Sequence, residues 1–445
     1  MLSADLHPHQ SEGVAWLLRP AQGRSVSLLG DPPGVGKTPQ AIGLIAALVS
    51  QDPAARVLLA VPRSLVKQWT SELERFAPAL RVTAYGSKGA ATAHVVLASH
   101  GLLGTRTAEL AAGNWAAVIV DEVSAVGKAT VAAAWPPMLV WPKALAGLAS
   151  VAAQAPRAVG LTATAAENSP AETWAIMRAL GLPGLPSWAE FRAWLHWSPY
   201  VPPGGRGQSP LPPKVLGYSA GGAQRLGALL DTCTLRRTAA DIPGLALPVR
   251  VGQEIEWVAL TAAQRQAYRQ SVGVRGLPGF QARQKASRLH AGETALADAA
   301  VSWLLARDDQ NEKALAYCEN LPCLDALSER LDSSGISWVR IDGASSLGQR
   351  KDALAWHADP DGPRVLIGSS VLERGLNAQH ARVLLSLDSS FNPGREAQRE
   401  GRIRRIGSPH ADYEHVVFVP DTPDARSKYA TLRRKHNLAA AVGLA

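Results

Sequence analysis

The sequence predicts an α/β protein of two doubly wound parallel-sheet lobes, with a helical and loop-rich insertion between them. Three observations carry that expectation. From residue 25 to about 180, short apolar runs alternate with longer segments of helical period. The same alternation resumes beyond residue 312. Between the two, a stretch rich in tryptophan, proline and glycine breaks the rhythm. Buried strands separated by helices are the pattern of a parallel sheet covered on both faces. A chain of 445 residues can hold two such cores, because a domain usually takes ~100–200 residues.

Taken in order, SVSLLG, RVLLAVP, HVVLAS, AAVIVDE and RAVGLTAT read as the strands of a first lobe over residues 1–185. PQAIGLIAALVS and SLVKQWTSELERFA read as helices between them. An insertion over 186–256 brings Trp188, Trp194 and Trp197, followed by SPYVPPGGRGQSPLPP, which predicts an exposed loop. The tryptophans have two readings, ordinary core packing or a stacking wedge for nucleic-acid bases. A second lobe over 257–445 opens with a helical lead-in at 257–312. KALAYCEN, ISWVRIDG, PRVLIGSS, ARVLLSLD and YEHVVFVP then read as five strands, separated by CLDALSERL, LGQRKDALAWH and GREAQREGRIRR.

The 46 Lys and Arg against 37 Asp and Glu leave a charge of +9, which favours a polyanionic partner such as nucleic acid. Cys233, Cys318 and Cys323 form no CxxC pair and no zinc spacing, which suits a reducing, cytoplasmic compartment. The opening MLSADLHPHQ lacks the basic-then-apolar pattern of a signal peptide, and no run of about 18 apolar residues follows. The expectation is a soluble, unprocessed monomer without membrane contact. It would come from a bacterium, an archaeon or a virus with a GC-rich genome, and be nucleoid-associated if bacterial.

The segment SLLGDPPGVGKTPQAIGLIAAL runs from a strand through a glycine-bearing loop into a helix, the context of a phosphate-binding P-loop. Backbone N–H groups around Gly34, Val35, Gly36, Lys37 and Thr38 can wrap a triphosphate at a helix N-terminus. Lys37 reaches the outer phosphates and the Thr38 hydroxyl ligates Mg²⁺. Asp31 stands where the general motif has its first glycine, and Pro39 follows Thr38; neither removes an amide the cradle needs. At AAVIVDEVS a strand delivers Asp121, a candidate Mg²⁺ ligand, and Glu122, a candidate general base for the attacking water. In LTAT, Thr162 and Thr164 could sense the γ-phosphate. Gln10, ahead of a short amphipathic helix, could read adenine.

In GREAQREGRIRRIG, the residues Gln398, Arg402 and Arg405 are spaced i, i+4, i+7, which puts them on one face of a helix. Arginine held against a transferring phosphoryl group can be worth ~10³–10⁵ in rate. The alternative is a basic helix that also uses Arg399 and Arg404 against solvent or phosphate. Upstream, SSVLERGLN places Ser369, Ser370, Arg374 and Gly375 after a strand, where they could grip a DNA phosphate.

The ordered set LHPHQSEGVAWLL, DPPGVGKTPQAI, VPRSLVKQW, IVDEVS, LTAT, TLRRTAADI, LTAAQRQAY, GLNAQHARVLLSLDSSFNPGREAQ and GRIRRIGS resembles the Swi/Snf family of DNA translocases, in the second helicase superfamily. The spacing around GYSAGGAQRLGALLDTCTLRRT is most similar to the small, annealing-helicase-like branch. The resemblance implies two RecA-like lobes with ATP in the cleft, Lys37, Thr38, Asp121 and Glu122 on one side and Arg402 and Arg405 on the other. It implies movement along duplex DNA, with single-stranded DNA a second possible partner. Ser124, where the family usually has histidine, Ala165 in place of proline, and Arg404 and Ser408 in the last motif depart from its pattern. Ser124 thereby becomes a candidate for coupling ATP turnover to DNA. The leading expectation is a DNA-dependent ATPase that translocates on or remodels DNA. The alternatives are a strand-separating or strand-annealing helicase, and a nucleotide-gated DNA-binding scaffold with little turnover.

Overall fold

The computed structural model describes the chain apart from residues 1, 4, 20–22, 163–168, 200–211, 239–240, 243–244, 246, 253–254, 275, 308–310, 373–376, 388–392 and 443–445. It divides into two units, Met1–Pro243 with Arg434–Ala445, and Gly244–Arg433.

The first unit is built on a seven-stranded sheet. Its order is Thr234–Leu235, Ser25–Leu29, Arg157–Leu161, Ala117–Val120, Val57–Val61, Val95–Ser99, Val82–Ala84. Every pairing in it is parallel. Because side chains alternate across a strand, the apolar runs fill two cores at once. Leu28, Leu58 and Val118 face a cluster with Trp115, Trp174, Phe191, Leu226 and Leu230. Their neighbours Leu29, Leu59 and Ile119 face the opposite cluster, with Leu17, Ile42, Ile45, Trp69 and Leu73. Helices cover both faces, as the alternation in the sequence predicts.

The insertion behaves differently from expectation. Residues of Trp188–Trp197 and of Val215–Cys233 pack into the first unit's core, and Thr234–Leu235 adds a strand beside Ser25–Leu29. Phe191 is fully buried and sits among Trp174, Trp188 and Trp194. Trp188 also meets Trp197 edge to face, and its indole N–H donates to the Pro137 carbonyl at 2.8 Å. The tryptophans are therefore core packing, with Trp188 set against Trp174, Phe191 and Trp197, and Trp194 against Phe191. Most of the proline- and glycine-rich loop lies outside the described residues.

The second unit holds another parallel sheet, ordered Val249–Val251, Asp412–Pro420, Val383–Ser386, Ala314–Tyr317, Val365–Gly368, Trp338–Ile341. Ile255–Val258 also pairs with Asp412–Pro420. Five of these strands are the expected ones. Of the other two, Val249–Val251 lies inside the stretch read as a connection and Ile255–Val258 straddles its end at 256; both escape the sequence reading because runs of three and four residues show no period. Helices Ala262–Val272, Gly276–Arg288 and Ala295–Leu305 form the helical lead-in. Among the described residues, no helix is long and apolar enough to cross a membrane.

Candidate functional site

The strand Ser25–Leu29 ends at Gly30, and the chain turns through Asp31–Gly36 into the helix Lys37–Gln51. Gly34 has φ of 85° and Gly36, the N-cap, has φ of 95°. A side chain at either position would meet the left-handed penalty, so these glycines let the loop fold back on itself. The first N–H groups of a helix have no intrahelical acceptor. Lys37 and Thr38 open the helix, so their N–H groups are among those left for an anion. The Lys37 ammonium donates to the carbonyls of Asp31 at 2.6 Å and Pro32 at 3.2 Å, lying along the loop where outer phosphates would sit. A triphosphate fits this donor set.

Gln10 enters from the helix Pro8–Leu18. Its Oε1 accepts from the His7 N–H at 3.1 Å and its Nε2 donates to the Val35 carbonyl at 3.3 Å. The amide expected to read adenine thus touches the loop, with both its ends engaged by backbone.

Asp121 and Glu122 stand at the end of Ala117–Val120, separated from Ser25–Leu29 by Arg157–Leu161. Asp121 is held by three groups. Its carboxylate accepts from the Trp69 indole N–H at 2.7 Å and from the Glu122 N–H at 3.0 Å, and its carbonyl lies 2.9 Å from His100 Nε2. Burial pushes the Asp121 carboxyl above the usual aspartate range, opposed by the Trp69 indole, the Lys37 ammonium and the Glu122 amide. A divalent cation beside it would offset that burial, so the Asp121 carboxylate is a group that could hold Mg²⁺. Glu122 has φ of 47°, a left-handed backbone rare outside glycine and asparagine. Such strain clusters where a side chain is being aimed. Ser124 follows in the short turn Val123–Ala125, half-buried. Thr162 is fully buried, and its N–H donates to the Leu29 carbonyl at 3.1 Å, just ahead of the loop. Thr164 lies outside the described residues.

In the second unit the helix carrying the arginines is shorter than its periodicity suggests. It spans Pro393–Glu400 and carries the half-buried Gln398. Arg402 and Arg405 lie in the turns beyond it, where Arg402 N–H donates to the Arg399 carbonyl and Ile403 N–H to the Glu400 carbonyl, both at 3.0 Å. The single helical face is corrected to a helix followed by tight turns. Gly401, a weak helix former, stands at the break. Both arginines are half-buried, and Arg405 Nε donates to the Gly401 carbonyl at 2.9 Å.

What fixes this segment is a buried polar network that its own sequence does not reveal. Glu400 accepts from His415 Nδ1 at 2.8 Å, Arg250 Nη1 at 2.9 Å and the Tyr413 hydroxyl at 3.0 Å. Burial works to raise the Glu400 carboxyl, but His415, Arg250 and Tyr413 together outweigh it and hold it below the usual glutamate range. Arg399, expected on the basic face, is fully buried over the Tyr317 ring at 3.4 Å and pairs with Glu396 at 3.1 Å. It does not join a phosphate-facing surface. Ser369, buried, and Ser370, exposed, follow the strand Val365–Gly368, while Arg374 and Gly375 lie outside the described residues.

A glycine loop between strand and helix, with a strand-end Asp–Glu pair on the same sheet edge, defines a P-loop nucleotide-binding lobe. A family described as the SNF2-related domain matches residues 9–314, and the helicase conserved C-terminal domain matches 296–407. The chain belongs to the SNF2-related family. It is 25% identical over 460 residues to YwqA of Bacillus subtilis, covering 94% of this chain and 46% of that protein. It is 25% identical over 444 residues to the human DNA annealing helicase and endonuclease ZRANB3, covering 95% of this chain and 39% of that one. The chain thus spans less than half the length of these relatives. A solved structure, the Sulfolobus solfataricus SWI2/SNF2 ATPase core in complex with dsDNA, aligns over 100% of this chain and 98% of its own, at a TM-score of 0.45 and 18% identity.

Proposed function

We propose that the chain is a DNA-stimulated ATPase that uses ATP hydrolysis to move along duplex DNA. The observation that carries this reading is the pairing, on one sheet edge, of the Lys37 loop with a strained Asp121–Glu122 strand end, in a chain of the SNF2-related family. Simple nucleotide storage needs the loop; hydrolysis also needs a carboxylate aimed at water.

In this reading Gly34, Val35, Gly36 and Thr38 hold the phosphates through backbone N–H groups, and Lys37 neutralises the outer ones. Gln10 bears on the base or holds the loop beneath it. Thr38 and Asp121 hold Mg²⁺, which when bound neutralises the phosphate oxygens. Glu122 takes the proton of the attacking water. Arg402 and Arg405 are the arginines that stabilise charge on the transferring phosphoryl group, and Gln398 bears on the nucleotide. Ser124, Thr162 and Thr164 sense the nucleotide. Ser369, Ser370, Arg374 and Gly375 contact a DNA phosphate.

Displacement of a third strand from triplex DNA tests movement. The reading expects the third strand to be released only with ATP and only when a duplex track leads up to the triplex. Release that needs neither would overturn it.

A further inference from the structure

The first unit contains a buried ion pair that no part of the hydrolytic scheme uses. Asp31, which opens the glycine loop, is fully buried. Arg237, 206 residues later, grips its carboxylate with both arms: Nη2 lies 2.5 Å from Oδ2 and Nε 3.2 Å from Oδ1. The Arg237 main-chain N–H adds a third bond to Oδ1 at 3.2 Å. Gln40 closes the cluster from the helix that follows the loop, donating to Asp31 Oδ2 at 3.0 Å and accepting from Arg237 at 2.9 Å. Arg237 also donates to the carbonyl of His9, the neighbour of Gln10. One guanidinium therefore ties together the N-terminal helix, the nucleotide loop, the helix after it and the segment by which the chain leaves the first unit, which ends at residue 243.

Two further observations give this cluster a direction. The carbonyl of Asp31 accepts from the Lys37 ammonium at 2.6 Å, so the residue that Arg237 clamps is one on which Lys37 rests. The helix Pro8–Leu18 also leaves room for the cluster: a Cβ at Gly13 would lie 1.8 Å from Gln40 Oε1 and 3.2 Å from Arg237 Nη2. A fork of this kind fixes orientation as well as charge, which an ammonium cannot reproduce.

We propose that Arg237 is a positioning residue of the nucleotide site, which holds the loop and Lys37 in the triphosphate-binding form through Asp31 and Gln40. The proposal rests on the reading of residues 31–38 as a triphosphate loop. Lys37 bears on phosphates in the ground and transition states alike, so losing its support weakens nucleotide affinity more than turnover at saturation.

The test measures binding of a fluorescent ATP analogue to the full chain, the KM and kcat of ATP hydrolysis, and the melting temperature without nucleotide. Arg237→Ala, Arg237→Lys and Gly13→Ala are compared with Arg236→Ala. The expected result is about tenfold or greater weakening of binding in both Arg237 variants, a KM that rises with kcat nearly unchanged, and a smaller loss of the same kind in Gly13→Ala. Millimolar guanidinium restores binding to Arg237→Ala but does nothing for Gly13→Ala, and Arg236→Ala binds as the parent does. Folded Arg237→Lys and Gly13→Ala proteins that bind the analogue as tightly as the parent would overturn the proposal. So would a fall in kcat at unchanged KM. Absence of binding by the parent chain would instead remove the triphosphate reading beneath it.

Discussion

The glycine loop of the first unit and the arginine segment of the second are both marked by short motifs, yet they are fixed in place by different physics. In the loop, local backbone constraints dominate. Gly34 and Gly36 take left-handed conformations, and the helix begins at the next residue, so the order of residues nearly determines the shape. In the arginine segment, helical spacing continues through Gly401, but the helix does not. Arg402 and Arg405 are placed by turns, and the turns are anchored through Glu400 to His415, Tyr413 and Arg250, the last 150 residues away in sequence. A motif thus names the residues in both regions, but it gives the geometry only where the geometry is local.

Substituting the arginines is the strongest way to break that comparison. Arg402→Ala and Arg405→Ala are expected to lower kcat by roughly 10³-fold or more while nucleotide affinity changes little. Arg399→Ala, one turn earlier and equally basic on paper, is expected to act on stability instead. It empties the space over Tyr317 and removes the buried guanidinium that pairs with Glu396, at a cost of roughly 3 kcal/mol read from denaturant unfolding. Equal kinetic losses at all three positions would mean that the basic helix acts as one surface.

A smaller effect is expected from Glu400→Gln. It keeps the side chain's shape and removes the charge that binds Arg250 and His415. The arginines would then be less well held, and kcat should fall by about 10-fold with KM for ATP nearly unchanged. A rise in KM alone would place Glu400 on the binding side.

A separate effect, on stability rather than turnover, lies away from both regions. His357 is fully buried against His380, its Nδ1 2.8 Å from the neighbouring Nε2, and burial with the His380 charge pushes it down to about 3. It folds neutral, whereas the unfolded chain takes up a proton near 6.5. Its contribution to stability is therefore complete above about pH 6.5 and drains away toward about pH 3, by about 1.4 kcal/mol per unit. Denaturant unfolding between about pH 6.5 and about pH 4 should show this slope in the parent and a flatter one in His357→Gln. An unchanged slope would assign the acid sensitivity elsewhere.

Much of the fold is legible in the sequence because strands buried on both faces must be continuously apolar. Val57–Val61 and Ala117–Val120 announce themselves in this way. The short strands Val249–Val251 and Thr234–Leu235 do not, since two or three residues carry no period and pair only because longer partners are in place. The tryptophans of 188–197 show the same limit from another side. Composition alone permits a stacking wedge, and only the rings of Trp174 and Phe191 show that they form a core. In the site, Lys37, Asp121 and Glu122 follow from motif and strand end. Trp69, which steadies Asp121, and Arg237, which grips Asp31, sit within segments the resemblance already marked, but their partners are 52 and 206 residues distant.

Steady-state ATP hydrolysis by the full chain, with and without duplex DNA, single-stranded DNA or RNA and with Glu122→Gln as reference, tests the central claim most directly. The account predicts strong stimulation by duplex DNA and a fall of about 10²–10⁴-fold in the variant, with its nucleotide affinity retained. Turnover that ignores every nucleic acid, or that survives the loss of the Glu122 carboxylate, would contradict it.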